Sequence, residues 1–400
     1  MNSAAHLAMD VFIADWINLI LRWAHMVVGI GWIGTSFYFI ALDYGLRKES
    51  GASPGVQGAA WQVHGGGFYH VEKFTVAPPQ LPEHLVWFRW EAYLTWVTGF
   101  GLLVIQYYWN ARAYLIDPTV LEISPATAVL ISVLSLVAGW FAYDLLCRSP
   151  IGEKPAALAY AVFVLIVAAA YGFTQVFSGR GAFIHVGSLV GTIMAANVFL
   201  VIIPNQKKMV AQLIAGEAPD ARLGAIGKQR SVHNNYLTLP VLLMMVSQHY
   251  PMLYGHAYSW LVVALILLVG GLVRHFINRA EAGDDFNAYS WAAPVALFAL
   301  ICAMSATAPK QATATLQVAD DEAMRIVAHH CASCHARKPT HPGFAEAPKH
   351  IRLETVADLR QYARLVVAQA VQTNAMPLGN ETRMSAEERE KLGAWLRARQ

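Results

Sequence analysis

Roughly the first three hundred residues of this chain form long apolar runs separated by short polar loops. A run of about 20 apolar residues can cross the hydrocarbon core of a bilayer as a helix, because a helix satisfies its backbone hydrogen bonds internally. Eight such runs occur, at roughly 16–46, 85–109, 126–147, 156–174, 183–204, 235–250, 256–278 and 288–306. The expected fold class is therefore all-α, a polytopic membrane helical bundle of about eight spanning helices. Charged residues make up only 14% of the chain, against about 25% in soluble domains. The composition agrees with burial in lipid.

An even number of spans puts both termini on one side. Lysine and arginine of short loops are retained in the cytoplasm during insertion. Eleven of them, from Arg47 and Lys48 through Lys73, Arg148, Lys207 and Arg230 to Arg279, fall in loops on one side, and only Arg112 and Arg180 fall on the other. The expected placement is the bacterial inner membrane, multi-pass, with periplasmic N- and C-termini. No basic residue precedes Arg22, so the first run is read as a retained span rather than a cleaved leader. A net charge of +3 without a long basic run excludes a nucleic-acid partner.

Past the last run the character of the chain changes. Residues 1–308 read as an integral membrane domain, 309–318 as a small polar linker and 319–400 as a soluble helical domain. The latter has its first helix in ADDEAMRIVAHH and its last in SAEEREKLGAWLRARQ, where Ser385 and Glu388 have the spacing of a capping box. Between them lies CASCH, residues 331–335. In C-x-x-C-H two thiols can form thioethers to a haem while the histidine reaches its iron. A thioredoxin-like pair needs a βαβ setting and a structural zinc site needs a second paired motif; the sequence has neither. Cys331, Cys334 and His335 are thus expected to carry a covalent haem c. Met376 in NAMPLGN is the expected second iron ligand, with Met384 its rival, and methionine opposite histidine raises the potential. The whole reads as a small class I cytochrome c domain. Cys147 and Cys302 lie in apolar runs and are expected to be unpaired.

Ionisable groups inside a bilayer are costly and mark function. They sort into two layers. His25, His185 and His249 lie toward the outer side and are candidate ligands for a haem b. Glu91, Asp144, His233, Arg274 and His275 lie toward the inner side. The inner loop QVHGGGFYHVEKF places three glycines between His64 and His70, which could let backbone approach a ligand beside two proton-exchanging rings. Asn205, Gln206, Asn234 and Asn235 add amides at the same boundary. GIGWIG, residues 29–34, matches a dinucleotide fingerprint but sits in a spanning run, where its glycines are expected to allow close helix packing.

Five stretches together, WAHMVVGIGWIGTSFYFIALD, HGGGFYHVEKF, WFRWEAYLTWVTG, HVGSLVGTIMAANVFLVIIPNQKKMV and HNNYLTLPVLLMM, resemble the bacterial membrane-bound, cytochrome c-dependent urate oxidases of the PuuD type. The resemblance covers about residues 12–305, and the C-x-x-C-H domain extends it. It implies oxidation of urate to 5-hydroxyisourate in purine catabolism, with electrons passed to cytochrome c and on to a respiratory-chain acceptor or oxidase. It carries no residue-level catalytic assignment. From the residues themselves, His64, His70 and Glu91 are the catalytic candidates for proton transfer. Arg230, Asn234, Asn235 and Arg274 are the candidates to hold the anion. The alternative function is a membrane-anchored cytochrome c that oxidises quinol, and a third is a purine transporter with a redox sensor.

Overall fold

The computed structural model describes residues 3–49, 54–284, 288–306 and 316–399. Most of the expected linker, 309–315, lies outside the described residues. Helix α1 runs Ser3–Gly45, and α2 runs Trp90–Leu103 and continues through a wider π-type turn, Val104–Tyr108. Next come α3 Pro125–Arg148 and α4 Pro155–Thr174. Helix α5 begins at Gly179 and continues through another π-type stretch, Asn197–Ile202, to Ile214. Helices α6 Ala221–Ser247, α7 Ser259–Glu281 and α8 Ala292–Ala306 complete the first part. The starts follow local chemistry. Ser124 accepts from Thr127 N–H with Pro125 next in line, and Ser178 accepts from Gly181 N–H, which satisfies amides that have no partner in the first turn.

Among the described residues six helices are long and apolar enough to cross a membrane: Phe12–Gly45, Pro125–Arg148, Pro155–Thr174, Gly179–Ile214, Ser259–Glu281 and Tyr289–Ala306. The runs expected at 85–109 and 235–250 are helical too, as α2 and α6. They differ from the others in separate ways: α2 runs only 14 residues before its π-type turn, and α6 buries the polar Arg230, Asn234, Asn235 and Thr238. Both pack in the bundle and join the same two ends as the others. One end gathers Lys73 and Lys228 on Asp43, Gln229 on Gly152 O and Arg47 on Ala59. At the other end Arg22 meets Gln106, and Ser178 meets Tyr114 O. The outward surface of α1 is apolar, with Trp16, Trp23, Met26 and Ile30 all more than half exposed, as a lipid-facing surface should be.

One element departs from the all-α expectation. Val56–His64 and Gly67–Phe74 form an antiparallel hairpin, β1 and β2, with Trp61 opposite His70 and His64 opposite Gly67. Gly65 and Gly66 have φ of +59° and +81°, the positive values that a two-residue hairpin turn demands. The glycines read as a ligand approach therefore make a turn.

Residues 318–397 build a second core around Ile326, Val327, Leu359, Leu392 and Trp395. Helices α9 Asp320–His330, α10 Val356–Gln361 and α11 Ala386–Arg397 surround it. Trp395 is 1% exposed and donates to Asp320 at 2.9 Å, which ties the last helix to the first. The Ser385–Glu388 capping box forms as expected, at 3.2 and 2.8 Å. This unit sits on the Tyr114 end of the bundle. Arg383 pairs with Glu122, Thr373 packs against Gly255, and Gly379, at φ +59°, lies against the Arg112 and Ala113 carbonyls with no room for a side chain.

Candidate functional site

The densest buried polar chemistry lies at the hairpin end of the bundle, and α6 organises it. Consecutive helix residues point about 100° apart, so His233, Asn234 and Asn235 reach three different helices. His233 Nδ1 meets the Tyr143 hydroxyl of α3 at 2.6 Å. The Asn234 Oδ1 accepts from Asn197 of α5 at 2.9 Å, and Asn197 also donates to Tyr143 at 3.0 Å. Asn235 Oδ1 accepts from Arg274 Nε of α7 at 2.5 Å. One turn before Asn234, Arg230 donates to Asp144 at 2.7 Å with its guanidinium 5.1 Å from the Tyr143 ring. Arg230 is 1% exposed, and a carboxylate at hydrogen-bond distance is what makes such burial tolerable.

On the α7 side the polar groups are left unsatisfied. Arg274 is 1% exposed, packs its guanidinium 4.0 Å from the Phe37 ring centre and approaches Glu281 at 3.8 Å. Among the described residues its Nη2, both amide atoms of Asn278 and the Glu281 Oε2 are buried without hydrogen-bond partners. Arg274, Asn278 and Glu281 are spaced i, i+4, i+7 and so share one face of α7. Buried donors and acceptors are nearly always satisfied; four that are not, two of them facing each other at 3.8 Å, mark a place where a polar guest could bind. Its groups could hold an anion at Arg274, read alternating N–H and C=O groups at Asn278 and accept an N–H at Glu281. On the Tyr143 side, the Arg230 Nε is likewise unpartnered.

Four of the expected anion-holding residues, Arg230, Asn234, Asn235 and Arg274, are thus brought together around one turn of α6. The expected catalytic histidines are not. His64 and His70 occupy alternate faces of the hairpin, since His64 is in register with Gly67 and Trp61 with His70. Both are exposed, and His70 is engaged with Glu49 at 3.3 Å and stacked on Trp61. Glu91 starts α2 and packs beside Gly31 of α1; its carboxylate has no hydrogen bond among the described residues. A Cβ at Gly29 or Gly31 would meet Thr95 or Glu91 at 4.0 or 3.7 Å, ordinary contact, and Gly34 faces open space, so close packing of α1 on α2 does not require the GIGWIG glycines. The residues missed from sequence are Tyr143, Asn197, Asn278 and Glu281. An asparagine inside the apolar run IMAANVFLVI was the available signal for Asn197.

Of the outer histidines, His185 is fully buried with both ring nitrogens taken, by Gly181 O at 2.7 Å and Ser132 Oγ at 2.5 Å. Both nitrogens are engaged within the bundle, so His185 presents no open nitrogen in this structure. His25 and His249 line one cavity of about 420 Å³ between α1, α2, α5 and α6.

In the second unit, Cys331 and Cys334 are both free thiols. Burial pushes Cys331 up to about 12, and burial also raises Cys334; a redox-active pair would instead have a lowered thiol. His335 directs Nδ1 to Ile351 O at 2.9 Å, and among the described residues nothing bonds its Nε2. A carbonyl only accepts, so Nδ1 holds the hydrogen and Nε2 keeps its lone pair, as in a metal-binding histidine whose other nitrogen is anchored by a backbone carbonyl. Met376 is partly buried at the edge of the core, with its carbonyl fixed by Arg389 at 2.6 Å. Met384 is 2% exposed inside the core. The paired thiols and the open Nε2 of His335 are a donor set that fits a covalent haem c. Burial pushes the Tyr114 phenol up, against Arg180 and Arg22, which lower it.

Residues 11–305 match the family model described as urate oxidase N-terminal. No curated protein and no solved structure matches the chain.

Proposed function

The chain belongs to the urate oxidase N-terminal family, and from that premise we propose that it is a membrane-bound urate oxidase whose electrons leave through a fused class I cytochrome c. In this reading eight helices span the bacterial inner membrane and form a urate-oxidising domain, residues 1–308. Residues 309–318 link it to a cytochrome c domain, 319–400. The lysine-rich hairpin end faces the cytoplasm and both termini are periplasmic. The observation that carries the proposal is the set of unsatisfied buried groups on α7, Arg274, Asn278 and Glu281, beside Asn235.

Urate is a flat anion at neutral pH with ring N–H and C=O groups in alternation. Arg274 would hold its charge, and Asn278 and Asn235 would read its edge. Conversion to 5-hydroxyisourate adds the elements of water to the ring and releases two electrons and one proton. The hairpin histidines are apart and exposed, and His233 is turned to Tyr143 of α3, away from the α7 side; beside Arg274 and Asn278 the unpartnered Glu281 carboxylate is the group that takes the proton. The buried setting limits water to the molecule that reacts. Cys331, Cys334, His335 and Met376 would hold the haem c, which supplies one-electron acceptance when bound. A respiratory-chain acceptor then receives the electrons.

The test is anaerobic. Urate is added to the purified oxidised protein, and the haem c absorption and the urate absorbance are followed together. Reduction of the haem as urate disappears is the expected result. If neither changes while a quinol reduces the haem, the chain is an anchored quinol-oxidising carrier and the proposal fails.

A further inference from the structure

We propose that the cavity between α1, α2, α5 and α6 is a binding site for a haem b, with His25 as an iron ligand. At about 420 Å³ it lies within the range of cofactor sites, about 300–1,000 Å³. His25 has the state that a ligand needs. Its Nδ1 lies 3.0 Å from Thr95 O and 3.1 Å from Thr98 Oγ1. The carbonyl can only accept, so Nδ1 carries the hydrogen and Nε2 presents a lone pair. Among the described residues nothing bonds Nε2. Gly99 makes room for the ring: a Cβ there would stand 2.8 Å from His25 Cε1. His249, at the end of α6, lines the same cavity with no hydrogen bond on its ring among the described residues, and is the second ligand in this assignment.

The distribution of polarity selects the occupant. Arg22, Gln106 and Gln248 form a connected rim at one end, with Arg22 Nη2 to Gln106 Oε1 at 2.7 Å and Gln106 Nε2 to Gln248 Oε1 at 3.0 Å. The remaining walls are mostly apolar, among them Trp32, Ile33 and Leu136, with Ser188, Thr192 and Tyr107 as further polar members. The hydroxyls of Thr95 and Thr238 in those walls are already donated to the carbonyls of Glu91 and Asn234. A haem is polar along one edge, where its propionates lie, and apolar elsewhere. A quinone ring carries carbonyls at opposite ends and would need donors at both.

The site also answers an electron count that rests on the urate reading. Urate gives up two electrons and one haem c accepts one. Iron in the cavity would hold one electron as ferrous iron while the haem c holds the other, and the released proton stays at the hairpin end. The hydrocarbon core is about 30 Å thick, and the cavity lies between the α7 polar cluster and the end of the bundle on which the second unit sits.

The experiment uses the full-length protein, purified and extracted with acidified acetone, with pyridine haemochrome spectra of extract and residue. The expected result is one extractable haem b for each covalent haem c. His25→Ala and the cavity-filling Gly99→Leu should each lower the extractable haem at least fivefold and leave the covalent haem unchanged, which reports a folded, exported chain. Wild-type protein with covalent haem alone, full retention of haem b in both variants, or a bound quinone in place of haem would overturn the proposal. Haem b present without reduction by urate would sink the urate reading and leave this site standing; the reverse pattern would do the opposite.

Discussion

Replacing Arg274 by glutamine tests the substrate site most directly. Arg274 is 1% exposed, and its Nε bond to Asn235 Oδ1 is 2.5 Å. Glutamine keeps an amide near that oxygen but removes the charge and the free Nη2. A hydrogen bond to a charged group contributes about 1.5–3 kcal/mol, and truncating one partner of a buried charge pair costs about 2–5 kcal/mol. Taking about 3–4 kcal/mol, and about 1.4 kcal/mol for each factor of ten, kcat/KM for urate should fall by about 10² to 10³. Arg274→Lys keeps the charge and loses the planar fork, so it should fall in between. Initial rates of urate loss in detergent-solubilised protein, normalised to haem c content, give the number. If glutamine leaves kcat/KM within about threefold, the hole on α7 is not where urate binds. A large loss in Arg230→Gln beside an intact Arg274→Gln would move the site to the Tyr143 side of α6.

In the same assay Glu281→Gln should slow turnover about 10²- to 10⁴-fold, as loss of a general base does, whereas His64→Ala and His70→Ala should stay near wild type. Asp144→Ala strands the buried Arg230 guanidinium and should destabilise the bundle by about 3–5 kcal/mol, read as a lowered unfolding temperature that Asp144→Ala with Arg230→Met partly restores. Met376→Ala should lower the reduction potential of the cytochrome domain, while Met384→Ala should leave the potential and cost about 2–5 kcal/mol of stability by opening a cavity. An unchanged potential in the first and a changed one in the second would reverse the ligand assignment. Glu388 is held at about 2, first by the Ser385 N–H in the capping box and also by His330. A depressed carboxyl stabilises the fold above its unfolded value of 4.5 and loses that contribution as pH falls toward about 2. Acid unfolding followed by Trp395 fluorescence should therefore be steep in that window, and Glu388→Gln should flatten it.

How far the sequence reaches is clearest where local and tertiary causes separate. The spans, the capping box and C-x-x-C-H are local: apolar run length, a serine three residues before a glutamate, and ligand spacing each act within one element. The hairpin is local as well. The run AAWQVH, the pair Gly65–Gly66 and then GFYHV carry a two-residue turn between extended segments, but three adjacent glycines among apolar spans read more readily as a connector. Arg274, Asn278 and Glu281 could be found by their i, i+4, i+7 spacing on one helix. No spacing, however, tells that Asn278 lacks a partner, because that depends on what α1 and α6 bring to the same place. The outer histidines make the point most sharply. His25 and His185 look alike in sequence, each a single histidine in an apolar helix. Ser132, 53 residues away, saturates one of them, and Gly99, on a different helix, leaves the other an open nitrogen beside a cavity. The identity of a ligand is thus decided by the second nitrogen of the ring, and that is fixed by helix packing rather than by the segment that carries the residue.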